Sequence, residues 1–283
     1  MQVNRFRGIK QLDSDSDFIC ADIFLHHALS CISCDYSKRD FLFRSGHWRG
    51  KRVGMKIFEA RPVSKKTLIT GHSDKKTNFR HVVPYLLKGY KNFWAINSKP
   101  FGLTLNSLPL GLTNPTSETE MHSIFGNTSH LVAANSESDF PIKFDGSIYG
   151  NFSISTNARV RKPLSKLLEN SGLIFTDPTF SERGRIEYLT SLRRHSLTVC
   201  PEGNGVDTHR LWETLYMGGT PVITTSKLVE SLVSDLPVIV LKDWSELKDL
   251  QSLERKWNSL NSMNFNFDKL KASFWINQFC RMK

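Results

Sequence analysis

The stretch from Val199 to Thr224, VCPEGNGVDTHRLWETLYMGGTPVIT, most constrains what this chain can become. It reads as strand, glycine-bearing loop, helix, glycine stop and strand. A strand that reaches a parallel neighbour through a helix is a βαβ unit, and such units build sheets covered on both faces. The pattern extends either side. Gly146 to Ser155 reads as a strand with a glycine interruption. It is followed by a helix over Pro163–Asn170, a strand over Leu173–Phe175 and an amphipathic helix over Glu182–Arg194. Leu197–Cys200, Thr220–Thr224 and Val238–Leu241 read as strands, Thr208–Met217 and Trp244–Leu250 as helices. The alternation predicts an α/β fold with a parallel sheet.

The first half is less regular. Phe18–Ile32 has roughly helical spacing. Val53–Phe58, Thr67–Thr70 and Asn92–Asn97 read as strands, and Ser107–Leu112 as a loop beside one. Thr113–Glu120 is a loop or a helix start capped by Ser117. The simplest architecture is two Rossmann-like domains facing one another across a cleft. Residues 1–145 form the first and 146–262 the second, with 263–283 a closing helix that crosses back.

The polar groups of the central stretch crowd the carboxyl end of its first strand, where α/β sheets bind ligands. Gly203 and Gly205 permit close backbone approach or a sharp turn. Asp207 or Thr208 can cap the helix, whose N-terminus suits a phosphate. Arg210 can reach a pyrophosphate, and Glu213, on the same helix face, can accept from ribose hydroxyls. The competing reading is a plain βαβ unit whose glycines only turn the chain, with Arg210 and Glu213 as an i,i+3 ion pair. The stretch is neither a Walker loop nor a dinucleotide fingerprint, for lack of the lysine and of the glycine spacing.

The segments Cys200-Pro-Glu-Gly203, Arg210-Leu-Trp-Glu213 and Gly218-Gly-Thr-Pro-Val222 resemble the donor-site signature of the exostosin-like glycosyltransferases and their bacterial and viral relatives. Asn151–Asn157, the helix Arg185–Leu192 and Leu108–Leu112 add to it. The resemblance implies a GT-B fold, a nucleotide-diphosphate sugar as co-substrate (a UDP-sugar before others) and no obligatory metal or other cofactor. It implies that Arg210 holds the diphosphate and Glu213 the ribose, with Gly203, Asn204, Gly205, Asp207, Thr208 and His209 around them. Many members carry arginine where this chain has Glu202. Arg183, Arg185 or Lys227 then becomes the replacement cation.

Sugar transfer needs a base and a stabilised leaving group. Asp74 is the first candidate base and His72 the second, since both follow the strand at Thr67–Thr70. A simple turn at Gly71–Asp74 explains them equally well. The acceptor is a glycan or, alternatively, duplex DNA with a hydroxymethylated base. The net charge of +11 suits a polyanion, and Trp48, Phe79 or Trp94 could serve as a wedge beside a flipped base. A non-catalytic nucleotide-sugar or nucleic-acid binding module is the third reading. No apolar run reaches eighteen residues and no h-region follows the basic N-terminus, so a cytoplasmic enzyme is expected. The five cysteines do not form a disulfide framework, and Cys31 and Cys34, near His26 and His27, lack the second pair a zinc site needs.

Overall fold

The computed structural model describes residues 12, 17–21, 23–24, 41–45, 67–71, 74, 76–87, 89–99, 101–102, 105–114, 120–137, 139, 141–226 and 229–281. Two parallel sheets organise them. The first joins β1 (Phe41–Ser45), β2 (Thr67–Gly71), β3 (Asn92–Ile96) and β4 (Leu105–Leu108) in that order. The second comprises β5 (Ile148–Asn151), β6 (Ile174–Thr176), β7 (Leu197–Val199), β8 (Pro221–Thr224) and β9 (Ile239–Leu241), in the spatial order β6-β5-β7-β8-β9. Every pairing within both sheets is parallel.

The helices are α1 (Phe79–Leu86), α2 (Glu120–Gly126), α3 (Thr128–Glu137), α4 (Ala158–Asn170), α5 (Glu182–Arg194), α6 (His209–Tyr216), α7 (Glu230–Val233), α8 (Leu250–Leu260) and α9 (Ala272–Arg281). Several differ from the expected pattern. The strand expected over Gly146–Ser155 stops at Asn151 and becomes a 3-10 turn at Ile154–Asn157. The helix expected at Trp244–Leu250 is a 3-10 turn, and α8 begins where it was to end, with the Asp249 carboxylate accepting from Ser252 N. The closing helix is likewise split into a 3-10 turn at Phe267–Leu270 and α9. The strand expected at Val53–Phe58, most of the helix at Phe18–Ile32 and the Ser117 cap lie outside the described residues.

Strand alternation sorts the core into three clusters, because successive side chains point to opposite faces. Phe93 and Ala95 of β3 pack with Val82, Tyr90 and Leu105 beneath α1. Leu197 and Val199 of β7 pack with Val222, Ile239, Leu253 and Trp257 on the outer face of the second sheet. The remaining faces share one cluster. Trp94 and Ile96 of β3 belong to it, as do Tyr149, Trp212 and Ile223 from the second sheet and its helices. A single apolar core therefore spans both sheets.

Polar bonds cross the same seam. Asn97, in the left-handed region at φ 54, accepts through Oδ1 from Val206 N (3.1 Å) and Asp207 N (3.0 Å). A Cβ on Gly205 would stand 2.5 Å from Asn97 Nδ2. Gly205 is thus dictated by close contact with the first sheet's edge rather than by a ligand. The chain's end also reaches its beginning: Ala272 N donates to Asp17 O (3.1 Å) and Ser273 N to Asp17 Oδ2 (2.8 Å).

Candidate functional site

The second sheet reverses its direction of growth at β5, since β6 lies on one side of it and β7, β8 and β9 on the other. Loops leaving β5 and β7 therefore diverge and open a crevice at their carboxyl ends, the usual ligand position in such sheets. A cleft of about 350 Å³ lies there. Asn151, Ser153 and Thr156 line it from the end of β5 onward, and Gly203, Asn204, Gly205 and Asp207 through Arg210 from beyond β7. Pro178 and Phe180 follow β6, while Asp74, Leu110 and Thr113 come from the first half. The first sheet has no such reversal among its described strands.

Two guanidinium groups set the charge of the cleft. Arg161 projects from the buried face of α4, in register with Leu164 and Leu168. It donates to Glu202 O (3.0 Å), Ser153 O (3.0 Å) and Pro201 O (3.4 Å), leaving two of its five N–H groups for other partners. Arg210, in the first turn of α6, has a buried Nε with no partner. Both lie over the Phe152 ring, at 5.7 Å and 6.0 Å from its centre. Burial, and then the neighbouring charge of Arg210, lower the Arg161 pKa to about 10, still a cation at neutral pH. Neither arginine makes an ion pair among the described residues. Two neighbouring cations that make no ion pair can hold an anion.

Glu213 is not the partner of Arg210. Its Oε1 meets Arg185 Nη2 at 2.7 Å, and its Oε2 accepts from Tyr188 OH at 2.7 Å. The side chains of Arg185 and Glu213 are 0% and 4% exposed. Burial alone would raise the Glu213 pKa; the Arg185 charge and the Arg185 and Tyr188 hydrogen bonds overturn that and hold it below the ordinary carboxylate value. The i,i+3 pairing is thus overridden by a longer-range ion pair. Arg185 also donates to Phe125 O (3.0 Å) and stacks on the Phe125 ring at 4.9 Å, so it is committed to the fold.

The glycine loop is pinned from several sides. Gly203 N donates to Gly205 O (2.9 Å), and Asn157 Nδ2 donates to Gly203 O (3.0 Å). A Cβ on Gly203 would stand 3.0 Å from Arg161 Nη2, so this glycine makes room for a cation. Asn204 is exposed at the loop tip. Thr208 is the N-cap of α6 but makes no side-chain cap bond, and its buried Oγ1 has no partner. Asp207 does not cap. Its Oδ2 accepts from Leu110 N (2.7 Å) and its Oδ1 from Trp212 Nε1 (2.8 Å), joining the two halves. Burial raises its pKa to about 6 against those bonds. His209 Nδ1 meets Gly111 O at 2.7 Å.

Other expected residues fall elsewhere. Arg183 is exposed and pairs with Glu187 at 2.8 Å, away from the cleft. The Glu202 side chain lies 3.9 Å from Lys76 and does not line the cleft; of the replacement cations expected, Arg183 and Arg185 are paired elsewhere, and the guanidinium that donates to the Glu202 carbonyl is that of Arg161. Asp74 is exposed at the cleft, whereas His72, Trp48, Lys227 and the Cys31–Cys34 pair lie outside the described residues. Trp94 is buried in the core and Phe79 packs on Phe101 at 4.4 Å, so neither stands free as a base wedge. Cys200 is buried, its thiol pushed up to about 12, and serves packing rather than chemistry.

Among the described residues no helix is long and apolar enough to cross a membrane. Compared with curated proteins, the chain matches none. Residues 125–282, more than half the chain, match the family model described as the RXYLT1 C-terminal domain, which supports a glycosyltransferase relationship.

Proposed function

The chain belongs to the RXYLT1 C-terminal domain family, and from that premise we propose that it transfers a sugar from a nucleotide-diphosphate donor to the hydroxyl of a glycan acceptor. The carrying observation is the pair Arg161 and Arg210, two cations without an acidic partner at the point where the second sheet reverses. A departing diphosphate needs such fixed positive charge where its own charge develops. The N-terminus of α6 adds its amides and the buried Thr208 hydroxyl.

In this reading the two parallel sheets are the halves of a GT-B fold, with Asp74, Leu110 and Thr113 on the acceptor side. Glu213 forms the floor under the ribose. Two of its acceptor positions are taken by Arg185 and Tyr188, which leaves capacity for a ribose hydroxyl. The family match lends support to a glycan acceptor and none to duplex DNA.

A donor screen tests the reading. UDP, GDP, CMP and their sugars, UDP-xylose first because the family is named for a xylosyltransferase, are assayed by thermal shift on wild type, Arg210→Ala and Arg161→Ala. Stabilisation by one nucleoside diphosphate, lost in both variants, is expected. Stabilisation that survives both substitutions would remove the arginine pair from the donor site. A protein that binds a donor but transfers its sugar to no glycan would be a binding module.

A further inference from the structure

We infer that His209 is the base that takes the acceptor's proton, its ring oriented by the backbone carbonyl of Gly111 from the opposite side of the seam. The inference rests on the transferase reading above. His209 opens α6 one residue before Arg210, so the same helix start presents a cation and an imidazole to one cleft. The 2.7 Å contact joins Nδ1 to a carbonyl, which can only accept. Nδ1 therefore carries the proton, and the lone pair of the neutral ring resides on Nε2, the nitrogen left for the cleft.

The carbonyl is itself placed by necessity. Gly111 sits at φ +67, and a Cβ there would stand 2.2 Å from Ile19 O. Burial lowers the His209 pKa; the Gly111 bond and the Glu213 and Asp74 carboxylates oppose this, while Arg185 adds to it. These are the charged groups that face the ring, from α5, from α6 itself and from the segment after β2. The competing groups are occupied: Tyr188 OH donates to Glu213, and Asp207 is spent on Leu110 and Trp212. Asp74 is exposed and acts by its charge on the imidazolium.

The acceptor oxygen forms a bond to the anomeric carbon as its proton passes to Nε2. The bond from that carbon to the diphosphate oxygen breaks, and its electron pair leaves with the nucleoside diphosphate beside Arg161 and Arg210. The imidazolium keeps its Nδ1–H on Gly111 O. A single displacement of this kind inverts the anomeric configuration.

The test uses UDP release from UDP-xylose with water as acceptor, UDP binding by thermal shift, and histidine-ring 15N NMR of the UDP-bound protein. His209→Gln identifies the ring signals by difference. It is expected to bind UDP within about twofold, to release UDP about 10²–10⁴-fold more slowly and to lose the acid limb of the pH–rate profile. Asp74→Asn is expected to move that limb to lower pH, since it removes an anion that favours the charged ring. The wild-type ring is expected to be neutral at pH 7 with its proton on Nδ1. Release within about threefold of wild type in His209→Gln, an unmoved limb in Asp74→Asn, or a ring protonated on Nε2 would each overturn the assignment. If no nucleotide of the donor screen stabilises wild type, the donor reading falls and the base falls with it. If UDP binds and the base readouts fail, the base alone falls.

Discussion

Arg185 and Arg210 flank the same carboxylate, yet they have opposite fates. Arg185 is fully buried and neutralised by Glu213, with its guanidinium against Phe125. Arg210 stands one helical turn before Glu213 and has no acid of its own. A carboxylate that can choose between two cations takes the one it meets inside the fold, since a buried charge without a partner costs far more than a cleft-facing one. The consequence is a division of labour: Arg185 is held in the fold by its ion pair, and in the proposed donor reading Arg210 is the one that meets the ligand.

Removing the shared acid is the most severe way to break this contrast. Glu213→Gln leaves Arg185 buried and uncompensated, and should cost about 3–5 kcal/mol by chemical denaturation. A loss under about 1 kcal/mol would mean that the pair is not what holds α5 to α6. Arg210→Ala should do the reverse, leaving stability without ligand nearly unchanged and weakening UDP binding about a hundredfold, or about 2.7 kcal/mol, by calorimetry.

Asp207 offers an intermediate case, a buried acid with hydrogen bonds but no cation. Its pKa stands raised to about 6 in the folded chain against an ordinary 3.8. Between those values the unfolded chain has released a proton that the folded chain retains, so this residue makes stability fall as pH rises through the window. Asp207→Asn should remove that slope at a cost of about 1–2 kcal/mol, because its amide cannot accept from both Leu110 N and Trp212 Nε1. An unchanged slope would place the titration elsewhere. The smallest effect belongs to Arg183→Ala. An exposed i,i+4 pair contributes about 0.5 kcal/mol or less, and UDP binding should not change.

What could be read from the chain alone was what short-range order decides. The helix at Glu182–Arg194 shows an apolar stripe of Ile186, Leu189 and Leu192 and forms over those residues. The loop from Gly203 to Arg210 announces itself by its glycines and by the helix start behind it. α1 is hard to read from the chain because Pro84 sits inside it, where proline usually ends a helix. α3 was missed because its sequence, TSHLVAANSE, presents only a narrow apolar stripe. Arg161 escaped because its partners are forty-one, forty and eight residues away. Its signal was present: a cation in register with Leu164 and Leu168, on a face where a charge has no business unless it is bonded. Asp207 looked like a cap because aspartate caps helices, and the Leu110 amide that claims it lies ninety-seven residues away.

The shared core has a consequence for anyone who would cut this protein apart. The family-matched segment begins at residue 125, but the folded unit does not. Tyr216 OH accepts from Ile19 N, Asn135 Oδ1 accepts from Leu12 N, and Asp207 and His209 bond to Leu110 and Gly111. An expressed fragment of residues 125–282 would strip Tyr216 of Ile19 N and the Phe18 ring, and the Asp207 carboxylate of the Leu110 amide. What has been inherited as one segment is therefore not what folds as one, and a truncation drawn at the edge of kinship would strip Asp74, Leu110 and Thr113 from the wall of the cleft it meant to isolate.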